Sequence, residues 1–345
     1  MKVLVATNGV PFVRGGAELL ADALVRELEA RGHEAGLLRI PFRWESPAEL
    51  ADVMLYAATL DIREADRVIA LKFPAYAIRH PQVTVWLLHQ FRQVYDLWDT
   101  PWGPPPTDPS WQEIRSAIHR VDTASLSSAR RLFANDTVTR DRLRRHNGLE
   151  ATILHPPLPD EGEIRKGPFG DYVLCLGRVS RGKRPDLAVE ALARTTSGVR
   201  LVVAGQPDSE EIVADLHAAV ARHGLEDRVE LRLRFVETEE KRDLLAGALA
   251  ICYLPVDEDS FGYVTAEAMT AGKPVVTVSD SGGVLNLVLD GVTGYVTAPQ
   301  AGDLALAFDR LESDRGRTAA LGAAAETEVA ALGLSWDHVI EELLA

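Results

Sequence analysis

Cysteine is nearly absent from this chain. Two occur in 345 residues, Cys175 and Cys252. Both fall inside apolar runs of strand length, so they read as small buried hydrophobes rather than a disulfide or a metal pair. Long apolar runs are missing too, and none approaches the length that spans a bilayer. The N-terminal VLVA is too short for a signal-peptide core and reads as a first strand, so a cytoplasmic location is expected. Positive charge is in short supply: 37 Lys and Arg stand against 51 Asp and Glu, a net charge of −14. A nucleic-acid partner needs a basic footprint, and that class is set aside. No G-x-G-x-x-G follows the first strand, where the glycines are Gly9, Gly15 and Gly16. That weighs against a dinucleotide-dependent dehydrogenase. Internal repeats and low-complexity tracts are also lacking.

Apolar residues are plentiful at 46%, enough for two cores at this length. Short apolar runs alternate with helical patterns along the whole chain, as in parallel sheets with crossover helices. The first set of strands is expected at Lys2–Ala6, Glu34–Arg39, Arg67–Leu71, Thr84–Leu88, Leu132–Ala134 and Thr152–Leu154. The second set is expected at Tyr172–Leu176, Arg200–Ala204, Val229–Leu233, Ala250–Tyr253, Val275–Thr277 and Tyr295–Val296. A linker rich in Pro, Gly and charge, HPPLPDEGEIRKGPFGD, lies between them. The expected division is a domain over 1–160, a second over 170–328, and an amphipathic helix in 329–345.

The most informative stretch is DSFGYVTAE, Asp259 to Glu267. A buried strand precedes it. A helix from about Tyr263 to Ala271 follows, stopped by Gly272 and Pro274. The amides of Gly262, Tyr263 and Val264 would point out of that helix start, beside Phe261, and favour phosphate. Glu267 near the helix start can take two vicinal ribose hydroxyls, and Asp259 on the loop can take sugar hydroxyls. Phosphate flanked by polyhydroxylated ends describes a nucleotide-sugar. Acids placed to suit a helix dipole are the plainer alternative.

A second stretch, LGRVSRGKRPDLAVEAL, places Arg178 and Lys183 in a loop between a strand and a helix opened by Pro185. A guanidinium fork and an ammonium there can neutralise a diphosphate. Gly177 to Arg184 also comes one residue short of a phosphate-binding NTPase loop, but Arg184 stands where Ser or Thr must hold magnesium. At the chain start, a Gly15-Gly16 loop joins the first strand to a helix with Leu20, Ala23, Leu24 and Leu28 on one face. His89 ends the run VTVWLLH, at the strand edge where open α/β sheets bind ligands.

The acidic stretch, with the G-R-x4-K spacing beside it, resembles the acidic motif of family-4 retaining glycosyltransferases, the group 1 glycosyl transferases. Asp259 stands where that motif has its first Glu. The resemblance implies a GT-B fold: two Rossmann-like domains facing across a cleft, with the last helix crossing back to the first. It implies a hexosyltransferase of polysaccharide biosynthesis or similar work, moving a sugar with retention from a nucleotide-diphosphate sugar to a hydroxyl acceptor. Arg178 and Lys183 would hold the leaving diphosphate, Asp259 the donor sugar and Glu267 the ribose. His89 would lie near the reaction centre, and Gly15 and Gly16 would line the cleft. Val236 or Phe235 would face the nucleobase. SGGVLN carries Asn286 where the family usually has Glu. No cofactor is implied, and the Asp257-Glu258-Asp259 run is expected to contact sugar rather than metal. Two other readings share the fold: a nucleotide-sugar-binding regulatory protein without turnover, and a nucleotide-sugar epimerase. The stretch from Arg130 to Arg145, with six arginines and two aspartates, reads either as a solvated helix face or as peripheral contact with a membrane carrying a lipid-linked acceptor.

Overall fold

The computed structural model describes residues 1–11, 15–159 and 161–345. The chain divides into two compact units, Met1–Pro159 with Leu334–Ala345, and Asp160–Gly333. All twelve expected strands are present, grouped into two six-stranded sheets.

In the first unit the strands are β1 (Lys2–Gly9), β2 (Glu34–Pro41), β3 (Arg67–Lys72), β4 (Val83–His89), β5 (Arg131–Ala134) and β6 (Thr152–Ile153). They pair in parallel in the order β2-β1-β3-β4-β5-β6. The nearly continuous apolar runs of β3 and β4 are buried on both faces, as a helix-covered parallel sheet requires. The covering helices are α1 (Gly16–Ala30), α2 (Pro47–Thr59), α3 (Pro109–Ser127) and α4 (Thr137–Asn147). Asp108 caps α3 through its side chain, and Gly148 ends α4 in the left-handed conformation at φ 65°.

The final helix, Trp336–Leu344, packs in this same unit and buries Val339, Ile340 and Leu343. Its last carbonyls have no partner within the helix. Three arginines supply them. Arg67 donates to the Leu344 carbonyl, Arg130 to the Ala345 oxygen at 2.6 Å, and Arg131 to the Glu342 carbonyl at 2.7 Å. Cations at this end also complement the helix dipole. Much of the basic stretch is therefore engaged within the protein: Arg142 is buried and pairs with Asp96 at 3.4 Å, and Arg144 pairs with Glu150 at 2.6 Å. Among the described residues, no helix is long and apolar enough to cross a membrane.

In the second unit the strands are β7 (Tyr172–Leu176), β8 (Arg200–Ala204), β9 (Val229–Arg232), β10 (Ala250–Cys252), β11 (Val275–Val278) and β12 (Gly294–Thr297). The order is β12-β11-β10-β7-β8-β9. This is the doubly wound Rossmann order, and the chain reverses direction across the sheet between β7 and β10. Ligands bind at that switch point, beyond the carboxyl ends of the strands. The helices are α5 (Pro185–Leu192), α6 (Glu210–His223), α7 (Thr238–Gly247), α8 (Tyr263–Thr270), α9 (Ala301–Ser313) and α10 (Arg315–Ala331). The final helix of the chain is then α11. Lys273, fully buried after α8, donates at 3.0 Å to the carbonyls of Gly167 and Pro168, and its ammonium lies 4.3 Å from the Phe169 ring centroid. It pins the start of the unit to the sheet.

Candidate functional site

The β7–α5 and β10–α8 loops leave adjacent strands at the switch point of the second unit, so Arg178 and Lys183 are brought to the acidic stretch. Leu176 ends β7, a single helical turn spans Arg181–Lys183, and Val256 donates its amide to the Gly182 carbonyl at 2.9 Å, tying the two loops. Arg178 is more than half exposed and stands 3.6 Å from Asp208. Lys183 is drawn inward. Its ammonium donates to the Tyr253 hydroxyl at 2.7 Å, lies 4.9 Å from that ring's centroid and pairs with Glu258. The Tyr253 hydroxyl in turn donates to Glu258 Oε2 at 3.0 Å. Burial, opposed by Arg178 and reinforced by Asp259, pushes the Tyr253 phenol above its ordinary pKa. It therefore stays a donor at neutral pH. Both cysteines are unpaired and line a small pocket with Gly177, Arg178, Lys183 and Tyr253.

The two acids of the motif are buried, each 8% exposed. Gly262 precedes α8 with φ 74°, a left-handed conformation, and a Cβ there would meet Tyr253 Cε1 at 2.8 Å. Only glycine fits both constraints. The first amides of α8, at Tyr263 and Val264, have no carbonyl partner within the helix, and they face the dipole's positive end outward. Phe261 is buried behind them at 2% exposure. Glu267 lies one turn into α8, where its Oε1 accepts from Lys241 Nζ of α7 at 2.7 Å. The Tyr263 hydroxyl is buried without a hydrogen-bond partner. Burial first, then the Glu267 charge, raises its pKa.

Nothing in the sequence marks Lys241, Glu258 is expected to contact sugar within the Asp257–Asp259 run but pairs with Lys183, and Arg184 enters only as a mismatch to a phosphate-binding loop. Arg184, the residue that spoils the NTPase-loop match, sits in the left-handed region at φ 49°. Its guanidinium donates to the carbonyls of Leu254 and Pro255 at 2.8 Å and forks onto Asp280 at 2.6 and 2.8 Å. It braces the β7, β10 and β11 loops together. Nothing local marks such a long-range clamp beyond an unexpected charge. SGGVLN packs on the acidic loop: Glu258 donates its amide to the Ser281 carbonyl at 3.2 Å, and Gly283 donates to the Glu258 carbonyl at 2.9 Å. A Cβ on Gly283 would meet Ser260 Cα at 2.6 Å, which accounts for the glycine. Asn286 ends that turn at the surface. Among the described residues, no cluster of three His, Cys, Asp or Glu is placed to hold a metal ion.

Val236 lies in the loop between β9 and α7, half-buried, next to Phe235 at 56% exposure. Arg234 is held beside them by Glu240 at 2.7 Å.

The remaining predicted residues belong to the first unit, beyond the carboxyl end of β1 and at that of β4. Gly15 and Gly16 open α1, while 12–14, the middle of their loop, lies outside the described residues. Glu18 Oε2 accepts the Gly15 amide at 2.9 Å, and Glu18 Oε1 is 3.1 Å from Lys72 Nζ, at the end of β3. Burial pushes the Glu18 carboxyl up, but the Lys72 charge and these hydrogen bonds outweigh it and hold it below its ordinary value. His89 pairs in register with Lys72 across β3 and β4. Its Nδ1 donates to the Gln90 carbonyl at 2.7 Å.

Known proteins resemble this chain in sequence and in shape. Residues 162–328 match the model of the family "Glycosyl transferases group 1". The D-inositol 3-phosphate glycosyltransferase of Mycobacterium marinum is 31% identical over 245 residues, 69% of this chain and 48% of that protein. The alpha-1,3/1,6-mannosyltransferase ALG2 of Dictyostelium discoideum is 34% identical over 160 residues, 41% of this chain and 37% of that one. The chain thus spans under half the length of these curated relatives. Among solved structures, HepE of Anabaena in complex with UDP-glucose superposes with a TM-score of 0.76 over 100% of this chain and 98% of that one, at 19% identity. WaaG, a glycosyltransferase involved in lipopolysaccharide biosynthesis, gives 0.74 over 99% of each chain at 17% identity. These likenesses establish the fold, which is GT-B. With the family model matched across the second unit, and its motif residues gathered at that unit's switch point, the chain belongs to the group 1 glycosyl transferases.

Proposed function

We propose that the chain is a retaining hexosyltransferase that moves a sugar from a nucleotide-diphosphate sugar to a hydroxyl acceptor without a metal ion. The observation that carries the reading is the placement of Arg178 and Lys183 after β7 and of Asp259, the α8 amides and Glu267 after β10. Cations and free amides suit a diphosphate, and the flanking carboxylates suit sugar and ribose hydroxyls. HepE, which shares the fold, was solved with UDP-glucose, and that supports a donor of this class.

In the reaction, Arg178, Lys183 and the α8 amides stabilise the diphosphate as it departs. Each such preorganised donor is worth roughly 2.7–4 kcal/mol in comparable sites. The acceptor hydroxyl attacks on the face the diphosphate leaves, and a leaving phosphate oxygen takes its proton, so no separate carboxylate base is needed. Asp259 orients the donor sugar, Glu267 the ribose, and Val236 or Phe235 the base. His89 and the Gly15-Gly16 loop serve the reaction centre and the acceptor from the first unit. Attachment to a membrane through Arg130–Arg145 would draw on arginines already engaged by α11, Asp96 and Glu150.

A thermal-shift panel of nucleotide-sugars tests the donor class, because a ligand that binds only the folded state raises the melting point. Turnover in excess chelator then tests the mechanism. Transfer should persist; its complete loss, restored by magnesium or manganese, would assign the Asp257–Asp259 acids to a metal. A donor that binds without turnover would point instead to a regulatory binding protein.

A further inference from the structure

We propose that Glu258 is a built-in competitor of the diphosphate: its carboxylate holds Lys183 when no diphosphate is bound and reclaims it as product leaves. This rests on the reading of Lys183 as a diphosphate ligand. Glu258 is not one of the motif acids, yet its side chain engages the phosphate-binding cation. Lys183, Tyr253 and Glu258 are hydrogen-bonded to one another. The ammonium donates to the Tyr253 hydroxyl at 2.7 Å, that hydroxyl donates to Glu258 Oε2 at 3.0 Å, and the same oxygen pairs with the ammonium. The backbone of Glu258 is anchored on both sides, through the Ser281 carbonyl and the Gly283 amide. The carboxylate is thus presented from a fixed position rather than reaching in by chance.

The side chains of Lys183 and Glu258 are 23% and 22% exposed. Part-burial screens the pair less than a surface one, at the cost of desolvating both charges. The ammonium has three N–H donors and already gives two, to Tyr253 and Glu258, so a bound diphosphate either shares Lys183 with the carboxylate or displaces it. Either way Glu258 is left beside a second anion, which weakens diphosphate affinity. That loss has a use. Transfer leaves the diphosphate without its sugar and with more negative charge, the form that these cations would hold longest. A carboxylate ready to re-pair with Lys183 speeds its departure, and product release limits turnover in many enzymes.

The test is calorimetric titration of inorganic pyrophosphate and of a nucleoside diphosphate panel into the wild type, Glu258→Gln, Lys183→Met and the double variant, each shown folded by its melting curve. Glu258→Gln should bind both probes about tenfold more tightly, a change of 1.4 kcal/mol. The gain should vanish in the Lys183→Met background, since the two side chains act as a unit. In turnover, Glu258→Gln should show stronger inhibition by nucleoside diphosphate. Unchanged or weaker binding in Glu258→Gln, or tightening that persists without Lys183, overturns the proposal. If nucleoside diphosphates bind the wild type and Glu258→Gln equally, this proposal fails and the donor reading stands. If pyrophosphate tightens as expected but no nucleoside diphosphate binds better than pyrophosphate, the donor reading fails and the competition stands. If no probe binds any variant, both fail.

Discussion

Lys241 Nζ lies 2.7 Å from Glu267 Oε1, joining α7 to α8 across the second unit. The lysine engages one oxygen of the carboxylate assigned to the ribose and fixes how the other is presented. Both side chains are largely shielded, at 25% and 11% exposure, so removing either partner leaves the other charge poorly solvated.

Glu267→Ala is therefore expected to weaken binding of the free nucleoside diphosphate at least tenfold, because its contact does not involve the sugar. Lys241→Met should weaken it several-fold through misplacement of Glu267, and Lys241→Arg should restore most of the loss. None of the three changes should alter pyrophosphate binding. Calorimetry on the three variants checks this; wild-type affinity in Glu267→Ala would end its assignment to the nucleotide.

Asp259 carries one methylene less than the usual Glu yet is buried at the mouth of the same loop. Asp259→Ala is expected to weaken the intact nucleotide-sugar more than the free nucleotide. Equal losses for both ligands, measured side by side, would place Asp259 on the nucleotide instead.

Gly262 combines a φ of 74° with a Cβ approach of 2.8 Å to Tyr253. Gly262→Ala should lower stability by about 1–3 kcal/mol through backbone strain and overpacking. It should also displace Tyr253, and with it Lys183. A melting point and nucleotide affinity unchanged from wild type would contradict this.

The strand pattern and both motif loops were legible in the sequence because each depends on local signals: apolar runs, a proline at a helix start, glycines at helix ends. The β7–β10 switch point is a long-range result of strand order, so the sequence showed the two loops but not that they leave adjacent strands. The partners of Glu258, Lys241 and Arg184 were hidden for the same reason. Each acts on a partner 26 or more positions away, and charge alone does not say which partner. The basic stretch looked like one surface, but Arg130 and Arg131 reach α11 and Arg142 turns inward to Asp96. No helical periodicity records those destinations. Lys72 and Glu18 likewise meet only because β3 ends beside α1.

Asp122 of α3 is fully buried and accepts the Tyr95 hydroxyl at 2.7 Å. Burial pushes its carboxyl up to about 7 against that hydrogen bond. The folded chain then keeps a proton that the unfolded chain releases near pH 4. Stability should fall as pH rises through about 4 to 7 and level off above, by on the order of 4 kcal/mol in all. Asp122→Asn keeps an acceptor for Tyr95 and should remove this slope, gaining on the wild type most at pH 8. Parallel melting profiles for the two proteins between pH 5 and 8 would exclude the assignment.

The direct test of donor transfer is release of nucleoside diphosphate from a panel of nucleotide-sugars, with and without hydroxyl acceptors, in excess chelator. The wild type should turn over at least one donor in the presence of an acceptor. Folded Arg178→Ala and Lys183→Ala should each be slower by at least about a hundredfold, as loss of one preorganised donor typically is. Near-normal release by either folded variant would contradict the assignment of the diphosphate to these two side chains.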